Sequence, residues 1–132
     1  MASRSQSRPV QSYRDLVVWQ QSITLVSEIY LATRSFPSDE RFGLTAQIRR
    51  AAVSVPSNIA EGQGRCTTGE FRQFLGNARG SLLELETQLT IARKLSYINE
   101  ESGVRLLRQV TEIARILNGL LNSLSVNSRR TA

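Results

Sequence analysis

Apolar residues recur at three- and four-residue steps along most of the chain, which is the spacing of one face of an α-helix. Four such segments are separated by short stretches rich in proline, glycine, serine or asparagine. None of them alternates apolar and polar residues as a half-buried strand would. The pattern therefore predicts an all-α, up-down-up-down four-helix bundle over residues 13–125, because short connections favour antiparallel neighbours.

Residues with capping chemistry precede the segments. Proline disfavours helical geometry in the residue before it, so Pro37 should end the first helix. The second helix should kink at Pro56 but continue to Gly62-Gln63-Gly64, because its apolar spacing stays in phase. The predicted caps are Asp15 for the first helix, Ser38 or Asp39 for the second, a Thr67/Glu70 capping box for the third and Asn99 for the fourth.

Each segment offers an apolar stripe for a common core. In the fourth helix the stripe is a heptad seam, Leu106, Val110, Ile113, Leu117, Leu120 and Leu124. In the first it is Leu16, Trp19, Ile23, Val26 and Tyr30, widened by Val18, Leu25 and Ile29. Five further apolar residues lie off the stripes: Val17, Leu31, Val53, Leu83 and Ile91. Single exposed apolar residues are normal, but this surplus favours a homo-oligomer.

Two glycines lie four residues apart in the third helix, Gly76 and Gly80. Glycine costs about 1 kcal/mol in a helix interior relative to alanine, so the pair needs a reason. Close approach of another helix is the favoured one, and close approach of a nucleic-acid backbone is the alternative.

Composition excludes several classes of site. The 132 residues fit one domain and include no histidine and a single cysteine, which removes histidine catalysis, most zinc sites and an internal disulfide. No run approaches the ~20 apolar residues of a membrane span, and the first residues do not form a secretory signal. We expect a cytoplasmic protein that binds no membrane, metal or cofactor.

The net charge is +6, and all basic residues except Lys94 are arginine. Arginine binds phosphate in planar, bidentate geometry. Five arginines lie near the two ends of the chain, so we expect a flexible basic tail at residues 1–12 and a basic tail at residues 126–132. The basic and acidic residues of the body nearly cancel.

Within the body, four arginines recur at intervals of seven, with Glu86 at the missing position: Arg65, Arg72, Arg79 and Arg93. Seven residues are almost two helical turns, so the side chains align with a drift of ~20° per step. Arg49 and Arg50 lie on the neighbouring second helix. These six arginines are either the solvated side of an amphipathic helix or a face that follows nucleic-acid phosphates.

Other polar motifs carry little chemistry. Ser54, Ser57, Asn58 and Glu61 form a strip through the Pro56 region and are expected to satisfy backbone carbonyls there. Gly62-x-Gly64 lacks the strand and the lysine of a phosphate loop. Cys66 has no histidine partner to activate it.

Three stretches carry a family resemblance: DLVVWQQS at residues 15–22, IYLATRSFPSDERFGLTAQIRRAAVSVPSNIAEGQGR at 29–65 and EFRQFLGNARGSLLELETQL at 70–89. They resemble the four-helix-bundle family encoded in intervening sequences of bacterial large-subunit ribosomal RNA genes. The resemblance implies an antiparallel bundle that assembles into a ring-like homopentamer and has no established enzymatic activity. It also implies similarity to the accessory variability proteins of diversity-generating retroelements, which are basic bundles that partner a reverse transcriptase. Arg49, Arg50, Asn58, Glu61, Gly62 and Arg65 fall on the family's signature.

The sequence thus favours a non-enzymatic bundle that binds RNA or DNA phosphates through arginine as a homo-oligomer. A protein-partner or scaffold module, for example one that binds a reverse transcriptase, is the alternative. An enzyme, such as a metal-dependent nuclease that uses Glu61, is the least favoured reading.

Overall fold

Four α-helices make up most of the computed structural model, which describes the backbone of residues 12–131 and the side chains of residues 12–125. They are α1 (Val17–Thr33), α2 (Leu44–Gln63), α3 (Thr68–Lys94) and α4 (Glu100–Thr131). Short 3-10 helices at Tyr13–Asp15 and Ser38–Glu40 precede α1 and α2. The described part of the chain contains no strand, as the apolar spacing predicted.

The predicted tails fall largely outside this description. Residues 1–11 of the N-terminal tail and the side chains of residues 126–132 lie outside the described part. The helix α4 continues past residue 125 to Thr131, because the sequence after Gly119 contains no glycine or proline that would end it.

Each helix packs against two others, α1 and α3 each contacting both α2 and α4. This arrangement makes a four-helix bundle around one core. The predicted seam residues Leu106, Val110, Ile113 and Leu117 are buried, and so are Leu75, Leu82, Leu85 and Leu89 of α3. None of the described helices is both long and apolar enough to cross a membrane.

The core-facing side of α1 differs from the prediction. Val18, Leu25 and Ile29 are buried, whereas Ile23 and Tyr30 of the predicted stripe are 44% and 40% exposed. Two hydroxyl residues complete the buried face, Ser22 and Thr33. Ser22 Oγ donates to the Val18 carbonyl at 2.6 Å, and Thr33 Oγ1 donates to that of Ile29 at 2.8 Å. Because the helix backbone satisfies these hydroxyls, they can be buried, and a hydropathy pattern cannot find them.

The predicted N-caps of α3 and α4 are confirmed, because the side-chain oxygens of Thr67 and Asn99 each accept a backbone amide of the first turn. Asn99 Oδ1 accepts a hydrogen bond from the Ser102 amide at 2.8 Å. Thr67 Oγ1 accepts one from the Glu70 amide at 3.1 Å, which is one half of the predicted capping box. Both acceptors satisfy a first-turn amide that has no partner within its helix.

The predicted caps of α1 and α2 are wrong. Asp15 accepts from the Ser12 amide and so closes the first 3-10 helix, and α1 begins one residue after Leu16. Ser38 and Asp39 belong to the second 3-10 helix, and α2 begins only at Leu44. There the carboxylate of Glu40, three residues before Gly43, accepts the Leu44 amide at 3.0 Å.

Proline 56 lies inside α2, and the helix continues through it as predicted. Ser57 Oγ donates to the Val53 carbonyl at 2.8 Å, and Asn58 Nδ2 donates to that of Ser54 at 2.9 Å. Ser54 Oγ also lies 2.8 Å from Ser81 Oγ and so joins α2 to α3. The polar strip therefore serves the backbone and the helix contact.

The glycines that permit close packing are not the predicted pair. A Cβ on Gly76 or Gly80 would meet no atom within 4 Å, so the expected helix contact at these residues is wrong within the described chain. A Cβ on Gly62 would lie 2.7 Å from Phe74 Cβ, and one on Gly103 would lie 2.6 Å from Arg93 Cδ. Gly62 and Gly103 thus allow α3 to approach α2 and α4 closely.

Tyr97 joins the α3–α4 connection to the α1–α2 connection, because its hydroxyl donates a hydrogen bond to Glu40 Oε2 at 3.0 Å. This hydrogen bond, followed by partial burial and the charges of Glu40 and Asp39, raises the pKa of the Tyr97 phenol above its ordinary value. The folded state therefore holds the phenolic proton more tightly than the unfolded state. The associated stability is fully present below about pH 10 and is lost as the pH rises through the raised pKa.

We expect the urea midpoint of the wild-type protein to fall above about pH 10 more steeply than that of Tyr97→Phe. Phenylalanine keeps the ring that contacts Phe36 but removes the titrating hydroxyl. Equal declines for the two proteins would show that Tyr97 does not cause the alkaline loss.

Candidate nucleic-acid interface

The heptad arginines of α3 separate along the helix. Arg72 and Arg79 are exposed, whereas the side chain of Arg93 is only 29% exposed and pairs with Glu100 at 2.5 Å. The aliphatic part of Arg93 also covers Gly103. A drift of ~20° per heptad accounts for this change, since it carries the later positions from the outer surface toward α4.

The side chain of Arg65 lies at the corner between α2 and α3. It pairs with Glu61 at 2.8 Å, and its guanidinium carbon lies 4.6 Å from the centre of the Phe74 ring. A cation over an aromatic face is stabilised by the negative face of the ring. Arg65 is therefore partly neutralised and held against the bundle.

The adjacent arginines of α2 behave differently from each other. Arg49 Nε donates to Thr33 Oγ1 at 2.8 Å, and its guanidinium carbon lies 4.5 Å from the centre of the Tyr30 ring. These contacts fix Arg49 between α1 and α2. Arg50, one residue later, is exposed and takes no part in these contacts.

The six candidate arginines thus divide by what they already bind. Arg49, Arg65 and Arg93 are held by neighbours, whereas Arg50, Arg72 and Arg79 make no hydrogen bond or ion pair with any described residue. They also divide in space. Arg49 and Arg50 line a groove between α1 and α2, and Arg79 lines another between α3 and α4.

The α3–α4 groove has a volume of about 360 Å³ and mixed walls. Arg79 and Glu86 contribute charge, while Leu83, Val110 and Ala114 contribute apolar surface. An exposed arginine beside apolar surface can contact a phosphate while the groove wall contacts a sugar or base.

Two further residues, Arg41 and Thr45, line the α1–α2 groove together with Tyr30, Arg49 and Arg50. Neither was among the predicted site residues, and Tyr30 was predicted to face the core. One signal was present in the sequence, since Arg41, Thr45 and Arg49 recur at intervals of four, the spacing of one helix face.

The other polar candidates offer no reactive arrangement. The carboxylate of Glu61 pairs with Arg65, and Cys66 is an exposed free thiol. Among the described residues, no cluster of histidine, cysteine, aspartate and glutamate could hold a metal ion.

Comparison with known proteins places the chain among similar sequences and folds. The family model described as 23S rRNA-intervening sequence protein matches residues 14–119. A crystal structure of a protein of unknown function from the S23 ribosomal protein family of Bacteroides thetaiotaomicron aligns with a TM-score of 0.74 and 24% identity, covering 80% of this chain and 98% of that one. A search of the curated proteins found no match. Because the family model covers most of its length, the chain belongs to the 23S rRNA-intervening sequence protein family.

Proposed function

We propose that this protein is a non-enzymatic bundle that binds nucleic-acid phosphates as a homo-oligomer. The observation that carries the proposal is that three of the six candidate arginines, Arg50, Arg72 and Arg79, are exposed and have no partner among the described residues. A guanidinium already paired with a carboxylate must lose that contact before it binds phosphate, whereas these three need not.

The distribution of charge supports the same function. Each free arginine that contacts a phosphate displaces condensed counterions, and this release drives binding without reading base sequence. We therefore expect similar affinity for RNA and DNA of different sequences. Arg65 and Arg93 should contribute less, because each already pairs with a glutamate.

Exposed apolar surface supports assembly into an oligomer. The five residues predicted to lie off the core stripes, Val17, Leu31, Val53, Leu83 and Ile91, are all exposed by 40–57%. A ring-like homopentamer would cover part of this surface, such as Val17, Leu31 and Ile91, which lie outside the two arginine-lined grooves. Each subunit would add its own free arginines. Several weak contacts on one rigid ring raise the overall affinity without any new chemistry.

We also propose the antiparallel arrangement that such a bundle requires. Arg49, early in α2, contacts Tyr30 late in α1. Similarly, Arg93 late in α3 pairs with Glu100 at the start of α4. Contacts between the end of one helix and the start of the next support an up-down-up-down order.

Two measurements test the proposal on the full chain. Fluorescence anisotropy with a labelled single-stranded RNA and a labelled DNA duplex should give affinities whose logarithm falls linearly with the logarithm of salt concentration. Light scattering behind a sizing column should give a mass near five chains. Absence of binding at low salt would contradict the nucleic-acid function, and a monomeric mass would contradict the ring.

A second candidate function, a protein-partner or scaffold module such as a reverse-transcriptase accessory protein, is favoured by the outer face of α3. Gly76 and Gly80 lie there with open space around them, and Leu83 is 57% exposed beside them. The double substitution Gly76→Ala and Gly80→Ala should stabilise an isolated chain, because alanine is the better helix former and meets no atom. A lower assembly mass for this variant would show that the face contacts another copy. An unchanged mass of the variant, together with a wild-type protein that binds no nucleic acid, would favour the partner function.

A further inference from the structure

The groove between α1 and α2, here the junction groove, combines positive charge with an unsatisfied hydroxyl. Its volume is about 580 Å³, and Arg41, Arg49 and Arg50 line it together with Tyr30, Thr45 and Val53. Among the described residues, no aspartate or glutamate lines it, although the carboxylate of Glu40 lies at the adjacent start of α2. Three guanidinium groups in one groove create a positive local potential, which favours an anion.

Thr45 is the unusual group in the junction groove. The residue is 8% exposed, and its Oγ1 is buried without a hydrogen-bond partner. Other threonines of the chain, such as Thr33 and Thr87, donate to the carbonyl four residues earlier. A buried hydroxyl that forms no hydrogen bond costs free energy. Rotation about χ1 of Thr45 would exchange the positions of its hydroxyl and its own methyl group. Thr45 lines the groove although its Oγ1 has almost no accessible surface, so a ligand with an acceptor oxygen would satisfy the hydroxyl once this rotation brings it to the groove.

The start of α2 adds further donors. Its N-cap residue, Gly43, has no side chain that could accept the first-turn amides. Of the first-turn amides, Glu40 accepts a hydrogen bond only from that of Leu44, through one carboxylate oxygen. Its other carboxylate oxygen accepts from the Tyr97 hydroxyl. The amides of Thr45 and Ala46 have no acceptor among the described residues. Free amides at the positive end of a helix are a known setting for phosphate.

The arginines have the freedom that such a site needs. Arg50 makes no hydrogen bond or ion pair with a described residue, and neither does the side chain of Arg41, which lies over the exposed ring of Phe42. Arg49 is held by Thr33 and Tyr30, so it supplies a positioned charge at the α1 wall. One held guanidinium group and two without polar partners can surround one tetrahedral anion.

We infer that the junction groove is a phosphate site, which holds one phosphate of a nucleic-acid strand between Arg41, Arg50 and the Thr45 hydroxyl. The inference rests on the proposed function and deepens it, since it names where on the folded chain a phosphate is held. The apolar wall formed by Val53 and the Tyr30 ring leaves room for the attached sugar or base.

The first test uses Thr45→Val in the full-length protein, with Thr87→Val as the control. Thr87 is an exposed threonine whose hydroxyl donates to the Leu83 carbonyl, and it lines neither of the two arginine grooves. In chloride buffer, Thr45→Val should raise the urea midpoint, because it removes an unsatisfied buried hydroxyl. In calorimetric titrations with inorganic phosphate, it should weaken binding about tenfold, the value of one hydrogen bond to a charged group. Thr87→Val should not weaken phosphate binding.

The second test compares Arg50→Gln with Arg108→Gln. Both residues are exposed, neither has a described ion pair, and both substitutions change the net charge equally, but Arg108 lies on α4 in a different groove. Arg50→Gln should weaken phosphate binding about tenfold and Arg108→Gln should leave it nearly unchanged. In a spectrum of amide resonances, phosphate but not chloride should shift the Thr45 and Ala46 signals.

The outcomes separate the site from the general function. A Thr45→Val protein that is less stable and binds phosphate normally would overturn the site, as would equal losses for Arg50→Gln and Arg108→Gln. If these results overturn the site but the wild-type protein binds an oligonucleotide, the proposed function stands and only the location of the phosphate is wrong. If the wild-type protein binds inorganic phosphate in the groove but no oligonucleotide, the anion site stands and the nucleic-acid function is wrong.

Discussion

Replacing Leu117 by alanine is expected to lower the free energy of unfolding by about 2–5 kcal/mol. Leu117 is fully buried on the heptad seam of α4, and its side chain packs within the core shared by the four helices. Truncation removes buried methyl groups and leaves a cavity that the neighbouring side chains fill only in part. Chemical denaturation followed by circular dichroism measures the loss.

Leu83→Ala provides the matched control, because it makes the same chemical change at a residue that is 57% exposed. Its effect on a single chain should be small, since surface substitutions usually change stability by about 0.5 kcal/mol or less. Equal losses for Leu117→Ala and Leu83→Ala, measured at a concentration where the assembly state is unchanged, would contradict the assigned core.

Replacing Arg50, Arg72 and Arg79 together by glutamine is expected to weaken nucleic-acid binding and to flatten its salt dependence. Each phosphate contact on duplex DNA contributes about 0.9 to the slope of log affinity against log salt, so every lost contact should reduce the slope by that amount. The expected effect is large because the loss is repeated in each subunit of an oligomer. Anisotropy titrations over a salt series measure both affinity and slope.

The matched control replaces three arginines of α4 by glutamine: Arg105, Arg108 and Arg115. It changes the net charge by the same amount as the first triple variant. Arg105 pairs with Glu28 and Arg115 with Glu112, so two of the three are already neutralised. This variant should keep most of the affinity. If both triple variants lose affinity and slope equally, binding reflects total charge and not the free arginines.

The number of helices and most of the core could be predicted from apolar spacing, because burial of one helix face leaves a regular pattern. The prediction was wrong where polar side chains satisfy themselves locally. Ser22 and Thr33 occupy the core face of α1 through bonds to their own helix, so the apolar pattern selected a neighbouring stripe. The start of α2 was misplaced because a 3-10 turn after Pro37 used the predicted capping residues.

The candidate site was predictable only as a set of arginines. Spacing predicted that the four heptad arginines align on one side of a helix, but Arg65 precedes α3 and Arg93 turns toward α4. Spacing also could not show which arginines carry partners. Arg93 pairs with a residue on the following helix, and Arg49 with side chains of the preceding one. The unsatisfied hydroxyl of Thr45 is a property of the folded environment, and no pattern in the sequence marks it.

Removing the basic ends while keeping the bundle tests most directly whether the folded arginine surface is the nucleic-acid interface. Deletion of residues 1–11 and 128–132 removes four arginines per chain but retains Ser12, which caps the first 3-10 helix. We expect this truncated protein to bind RNA or DNA with salt-dependent affinity, and we expect the added glutamine substitutions at Arg50, Arg72 and Arg79 to abolish the binding. If the truncated protein does not bind at low salt, the folded arginine surface is not the nucleic-acid interface.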